Sequence, residues 1–321
     1  MAIYTEVSFD EAQVFLQALG LGELQEIRAC TGGVENTNYF VDTDRGAYVL
    51  TLFERLSEEQ LPFYLFLMKH LASRGLPVPG PAADACGHLV HRLKDKPAAV
   101  ATRLQGASEL APTVAHCREL GGMLARMHMA VRDYDQSQRN LRGLAWWNET
   151  APSLLPFLDD GQRALMVEEL AVQNRIAESA ESADSAALPR GPIHADLFRD
   201  NAMFLGDRLS GILDFYFAGC DSFLFDVAVC LNDWCIEWDT GRHHRERAGA
   251  LLLAYQAVRP LEDAERRLLP GLQRAGAFRF WISRLWDFNL PREAAVLQAH
   301  DPRHFERGLR ERAGGSVAQV A

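Results

Sequence analysis

The chain has 321 residues, of which 48% are hydrophobic and 24% charged, with a formal net charge of −10. That length supports a large core and two packed units, and the balance is that of an ordinary globular protein. The negative charge argues against nucleic acid and anionic membrane, which need basic surfaces, while leaving room for a phosphate-bearing ligand held by a loop or a metal ion.

Residues 8–19 (SFDEAQVFLQAL) open with a serine cap and carry apolar residues at helical spacing, which predicts a helix. ELQEIRACT reads as a strand and leads into the glycine-containing TGGVENTN. NYFVDT and AYVLTLF are two further strands joined at DRG, a hairpin signal. From Ser57 to about Arg74 the pattern is helical, with glutamates in the first turn, and Gly75, Pro77, Pro79 and Pro81 stop it. HLVHRL, the turn KDKP and AAVATRL supply another hairpin. Residues 1–105 therefore hold about five strands and one prominent internal helix.

The remainder reads as mostly helical. Residues 112–131 place Val114, Cys117, Leu120, Leu124, Met127 and Val131 on one face. A second helical run covers about 150–180, and ESADSAALPRG follows as an exposed linker. Further helices are expected near 222–237, 244–258, 262–290 and 302–313. The six cysteines form no CxxC pair and lie mostly in apolar surroundings, as expected of buried reduced thiols in a cytoplasmic protein. The N-terminus has no secretory pattern, and no window is apolar enough to span a membrane. Oligomeric state is open between monomer and homodimer.

Chemistry concentrates in 194-HADLFRDNAMFLGDRLSGILDF-215. A short strand in PIHAD runs into a polar loop, Asn201 starts the run AMFL, GD turns the chain, and LSGIL returns to Asp214. A hairpin of that length brings Asn201 and Asp214 to one open end. One neutral and one anionic oxygen donor suit Mg²⁺, which takes few protein ligands and completes its shell with water and phosphate. Asp196 remains as a nearby carboxylate able to accept a proton from a hydroxyl. The arrangement fits phosphoryl transfer from ATP, in which the protein mainly positions reactants and neutralises charge. Upstream, Gly32 and Gly33 let the backbone approach phosphates, and Asn36 can cap that turn.

His194-x-Asp196-x-x-x-x-Asn201, followed by Asp214, resembles the catalytic and metal loops of the protein-kinase-like superfamily. The small residue in His194-Ala-Asp196-Leu, the helix segment Leu120-Gly-Gly-Met-Leu-Ala-Arg-Met-His128 and the buried-aspartate pattern ending at Asp226 are similar to the aminoglycoside phosphotransferase and choline kinase-like branch. Gly33–Phe40, Tyr48–Glu54, Leu61–Phe63, Arg142–Trp147, His194–Phe204 and Phe280–Asp287 resemble the homoserine kinases of that branch. The resemblance implies an α+β, bilobal protein-kinase-like fold, with a small five-stranded antiparallel β-lobe at 1–105 for nucleotide and a larger helical lobe at 106–321 for catalysis and substrate. It implies transfer of phosphate from ATP to L-homoserine in threonine biosynthesis, with Asp196 as base, His194 bracing the loop, and Mg²⁺ on Asn201 and Asp214.

Adenine is expected near Thr102 and Leu104. Kinases usually pair a basic residue on the third strand with a glutamate on the next helix. Here Thr51 and Tyr64 occupy those places, leaving the phosphate to Arg55 or another cation, or more of the work to the metal. For an amino-acid substrate, Arg284 is the candidate for the carboxylate, and Asp200, Asp221, Glu237 and Asp287 are candidates for the ammonium; Arg284 and Asp287 can equally pair with each other along a helix. The six tryptophans read mainly as packing, yet they keep open a cation-π site and so a choline, ethanolamine or aminoglycoside kinase. A non-catalytic nucleotide-binding relative is the third reading. His243-His244 reads as solvated surface.

Overall fold

The structure, a computed structural model, describes residues 5–30, 36–181, 188–290 and 301–318. The chain divides into two compact units, Met1–Gly106 with Ser210–Leu213, and Ala107–Leu209 with Asp214–Ala321. The first unit is built on the five-stranded antiparallel sheet expected from the sequence. Its strands are β1 (Leu24–Ala29), β2 (Thr37–Thr43), β3 (Gly46–Leu52), β4 (His91–Leu93) and β5 (Lys96–Thr102), in the order β1-β2-β3-β5-β4.

Strand β2 alternates buried Thr37, Tyr39, Val41 and Thr43 with half-buried Asn38, Phe40 and Asp42, so the sheet has two unlike faces. Helix α1 (Phe9–Ala18) packs Ala12 and Leu16 on the face made by Tyr39, Val41, Leu50, Leu52, Ala98 and Val100. Ser8 starts this helix with a reciprocal cap, its hydroxyl accepting from Glu11 N while the Glu11 carboxylate accepts from Ser8 N. Lys94 and Asp95 both take positive φ, 54° and 57°, the two-residue turn whose twist matches the flanking strands. The helix predicted from Ser57 begins at Leu61, as α2 (Leu61–Ser73); Pro62 sits in its first turn, where a missing N–H is harmless.

The second unit is mostly helical. It contains β6 (Ala107–Ser108), α3 (Val114–Ala130), α4 (Leu144–Leu154), α5 (Asp160–Glu181) and β7 (Arg190–Ile193). The hairpin of β8 (Ala202–Leu205) and β9 (Arg208–Ile212) follows, turning at Gly206 with φ 60°, and then β10 (Gly219–Ser222) pairs back on β7. Helices α6 (Phe223–Trp234), α7 (Arg245–Val258), α8 (Asp263–Asn289) and α9 (Arg303–Ala313) stand where the periodicity places them. The single helix expected over about 150–180 is instead α4 and α5. They are separated by a 3-10 turn at Leu155–Phe157, where Pro156 lacks the N–H that would continue the ladder.

Helices α3 and α7 approach closely at Gly121, where an added Cβ would lie 2.2 Å from Leu251 O. The glycine of the LGGML run is thus a packing requirement. The end of β9 groups with the first unit, because Ile212 N donates to Pro77 O (2.8 Å) and Ser210 Oγ to Gln105 O (2.6 Å). A division of the chain at residue 105 alone does not anticipate this return. Among the cysteines, Cys117, Cys230 and Cys235 are buried, Cys30 and Cys220 half-buried and Cys86 exposed, all as free thiols. No helix among the described residues is long and apolar enough to cross a membrane.

Candidate active site

The polar loop His194–Asn201 follows β7 and is held at both ends by α6. Asp226, fully buried near the start of α6, accepts from His194 N at 2.9 Å and Ala195 N at 2.8 Å. This capture requires Ala195 to adopt φ 63°, which a small side chain tolerates best. Toward the other end, Arg199 N and Nε donate to Asp233 Oδ2 (2.9 and 3.1 Å), and Trp234 Nε1 donates to Leu197 O (3.0 Å). His194 is buried, its ring 4.6 Å from that of Phe215, and its Nδ1 accepts from Asp196 N at 3.3 Å. Those contacts lie within the loop and its own packing.

Behind Asp226 runs a buried polar chain that the sequence does not reveal. His128 on α3 donates from Nε2 to Asp226 Oδ2 (3.1 Å), and its Nδ1 accepts from Tyr255 OH (2.8 Å), which fixes the neutral tautomer by its partners. Arg259 Nη1 donates to Tyr255 OH (3.1 Å) and pairs with Glu265 at 3.0 Å. Burial pulls the His128 imidazole below its ordinary value, outweighing Asp226, which acts to raise it. The unfolded imidazole gains a proton below about pH 6.5, so the stability contributed by the neutral buried ring is present above that pH and lost as pH falls. We expect the destabilisation caused by His128→Asn to be largest above about pH 6.5 and to shrink toward about pH 5. Urea midpoints of both proteins across that range measure it, and a constant difference contradicts it.

Asp196 projects from this fixed loop with 18% of its side chain exposed. Its carboxyl is pushed up to about 7, chiefly by burial and further by Asp214, against the lowering effect of Arg279 and Arg284. Asn201 Nδ2 donates to Asp196 O (2.8 Å) and lies 3.4 Å from Asp196 Oδ2, which leaves the amide oxygen available as a donor atom. Asp214 sits in the left-handed region at φ 58°, ψ 65°, immediately before a 3-10 turn at Phe215–Phe217. A non-glycine residue held there marks strain of the kind that clusters at functional positions. The hard oxygens of Asn201 and Asp214 fit Mg²⁺.

The candidate substrate groups separate on inspection. Asp221 accepts from Asn140 Nδ2 and Arg190 Nη2, both at 3.0 Å, and from Ser222 N at 2.7 Å, so its carboxylate braces the β7–β10 corner. Glu237 accepts from Thr240 Oγ1 at 3.1 Å. Asp200 is exposed, with its carbonyl accepting from Ser108 Oγ at 3.0 Å. Arg284 and Asp287 lie toward the end of α8 and form no ion pair with each other, so the local pairing allowed by their spacing is not made. Beside them stand two arginines absent from the sequence-based set. Arg279 on α8 has Nη1 3.8 Å from Asp196 Oδ1 and its guanidinium 3.9 Å from the Phe280 ring centroid. Arg142 lies over the rings of both Trp146 (4.3 Å) and Trp286 (4.9 Å). The signal in the sequence was the RGLAWW and FRFWISRLWD segments, which carry both arginines and both tryptophans.

The phosphotransferase enzyme family matches residues 26–261. A homoserine kinase of Polaromonas naphthalenivorans (strain CJ2) is 65% identical over 312 residues, covering 97% of this chain and 98% of that protein. One from Paraburkholderia xenovorans (strain LB400) is 54% identical over 323 residues, covering 98% and 97%. The chain belongs to the homoserine kinase branch of the phosphotransferase enzyme family. A solved amicoumacin kinase in complex with AMP-PNP and Ca²⁺ shares the fold, with a TM-score of 0.71 at 18% identity, covering 97% of this chain and 95% of that one.

In the first unit of this homoserine kinase family member, Thr51 and Tyr64 are both taken up in the fold itself. Thr51 donates to Asn38 Oδ1 on the neighbouring strand (2.7 Å), and Tyr64 is buried in α2. Lys96 and Glu54 do form an ion pair, joined by Thr37 Oγ1, which donates to Glu54 at 2.6 Å. Lys96 shares the parity of Ala98 and Val100, however, and so belongs to the face covered by α1, opposite Thr51. It does not stand in for the missing pair. Thr102 binds Gly80 through both its amide (3.1 Å) and its Oγ1 (2.8 Å). Leu104 follows outside any strand or helix, and the Asn36 carbonyl accepts from Asn38 Nδ2 at 3.5 Å. Gly32 and Gly33 lie outside the described residues. His243 is not solvated surface: its Nε2 meets Gln273 Oε1 at 2.6 Å, and burial pulls its pKa down to about 3.

Proposed function

We propose that the chain transfers the γ-phosphoryl group of ATP to the side-chain hydroxyl of L-homoserine, giving O-phospho-L-homoserine and ADP for threonine biosynthesis. The full-length relation to homoserine kinases carries this reading. The Asp196–Asn201–Asp214 constellation supports its chemistry. Asp196 accepts the hydrogen bond of the acceptor hydroxyl and takes its proton, and burial gives that carboxyl the basicity the task needs. His194 and Asp226 hold the loop still, which keeps the base in place. Asn201 and Asp214 would hold Mg²⁺, which when bound neutralises charge on the ATP phosphates. Asp200 and Asp287 are the carboxylates available for the acceptor ammonium.

The aromatic residues do not favour a quaternary ammonium substrate. Trp146 and Trp286 already stack on the protein's own cation, Arg142, while Trp147, Trp234 and Trp281 are core. An assay with Mg-ATP and, separately, homoserine, serine, choline, ethanolamine and an aminoglycoside tests the reading. Phosphorylation of homoserine well above the others is expected, and preferred product on choline or an aminoglycoside would replace the reading with another small-molecule kinase. Asn201→Ala and Asp214→Ala should each raise the Mg²⁺ concentration needed for half-maximal rate or abolish turnover. Unchanged Mg²⁺ dependence in both would remove the metal assignment.

A further inference from the structure

Buried arginines in the second unit are otherwise tightly partnered. Arg199 bonds Asp233 through N and Nε, Arg259 pairs with Glu265 at 3.0 Å, and Arg312 donates from Nε to Asn232 Oδ1 (3.1 Å) and from Nη1 to Ser316 O (3.0 Å). Arg279 is the exception. Its side chain is 4% exposed, yet its nearest carboxylate oxygen, on Asp196, lies 3.8 Å away, and its one described hydrogen bond is a long one to Ser283 Oγ at 3.5 Å. Its buried Nε has no hydrogen-bond partner. A guanidinium carries five N–H donors, and burying it unsatisfied is costly. Burial accordingly pulls its pKa down to about 10, with Arg142 and Arg284 acting in the same direction. The Phe280 ring at 3.9 Å and the Phe217 ring at 5.5 Å fix the plane of the fork.

We infer that Arg279, rather than Arg284, pairs with the carboxylate of the acceptor and so makes an amino acid, not an amino alcohol, the preferred substrate. The inference rests on the reading that homoserine is the acceptor. A planar fork matches a carboxylate with two parallel hydrogen bonds. At 3.8 Å the ion pair with Asp196 makes no hydrogen bond, so the donors of the fork are not spent on the base. Homoserine spans about 5 Å from carboxylate to hydroxyl. With hydrogen bonds of about 2.8 Å at each end, that span can bridge Arg279 and Asp196. Arg284 and Arg142 add positive potential around the same point.

The test compares L-homoserine with 3-aminopropan-1-ol, the same chain without the carboxylate, in the wild type, Arg279→Met and Arg279→Lys. Wild-type kcat/KM should favour homoserine by about 10²-fold or more, and Arg279→Met should collapse that ratio through homoserine KM, with ATP KM moving far less. Arg279→Lys should retain part of the preference, and it carries the comparison if the methionine variant fails to fold. L-2-Aminobutyrate, which keeps the carboxylate and lacks the hydroxyl, should inhibit the wild type competitively, weakening about 10²-fold in Arg279→Met and less in Arg279→Lys. Equal losses on both acceptors, or a matching rise in ATP KM, would overturn the inference by making Arg279 a brace for Asp196 or a phosphate contact. Equal use of both acceptors by the wild type would also overturn it while leaving the homoserine reading intact; no product from homoserine would instead sink that reading.

Discussion

Asp196→Asn should lower kcat by about 10²–10⁴-fold while nucleotide affinity stays close to that of the wild type, because a general base contributes to the transition state and little to ground-state binding. The substitution keeps size and shape, so the loop contacts that define the site persist: His194 and Ala195 amides on Asp226, and Arg199 on Asp233. What is lost is the acceptor for the hydroxyl proton. Asn201 Nδ2 can still donate to the residue 196 carbonyl, which isolates the effect to the side chain. Steady-state kinetics with homoserine and a separate nucleotide titration measure the two quantities. Near-normal turnover with nucleotide binding intact would remove Asp196 from the role of base.

Asp226→Ala should be the most damaging change away from the reacting atoms. Its carboxylate is fully buried and satisfies two loop amides and His128 at once. Burial alone would raise its pKa, yet the hydrogen bonds it accepts, from His128 first and from the His194 amide, hold it below the ordinary carboxylate value. Truncation leaves two loop N–H groups and the Nε2–H of His128 without the acceptor they share, and breaking a buried polar cluster of this kind costs about 3–5 kcal/mol. Ala195 at φ 63° also loses the bond that compensates its strained backbone. Both thermal stability and kcat should fall, whereas Asp226→Asn, able to accept at one oxygen, should lose less stability. A Tm and kcat for Asp226→Ala close to those of the wild type would show that the loop is held by other contacts.

Much of this was legible in the sequence, for reasons that differ by element. The five strands and their hairpins follow from local alternation and turn residues, as at DRG and KDKP, where short-range preference and tertiary contact agree. Asp196, Asn201 and Asp214 stand out because phosphoryl transfer needs those oxygen types at that spacing. Residues that act through distant partners were not legible. His128 ends the Leu120–His128 segment, but its work depends on Asp226, Tyr255 and Arg259, three separate places in the chain. Along the sequence nothing separates Arg279 from Arg284; burial and the distance to Asp196 do. Asp221 looked free and is bound in a corner between β7 and β10, while His243 looked exposed and is packed on Gln273. Pairing across the fold decides each of these cases, and spacing along the chain carries no record of it.

A structure of the complex with a non-hydrolysable ATP analogue, Mg²⁺ and L-homoserine tests the central claim most directly. The homoserine hydroxyl should lie about 2.6–3.2 Å from an Asp196 carboxylate oxygen, with Mg²⁺ on Asn201 and Asp214 and the carboxylate on Arg279. A hydroxyl directed at another acceptor, with Asp196 facing away, would contradict the account.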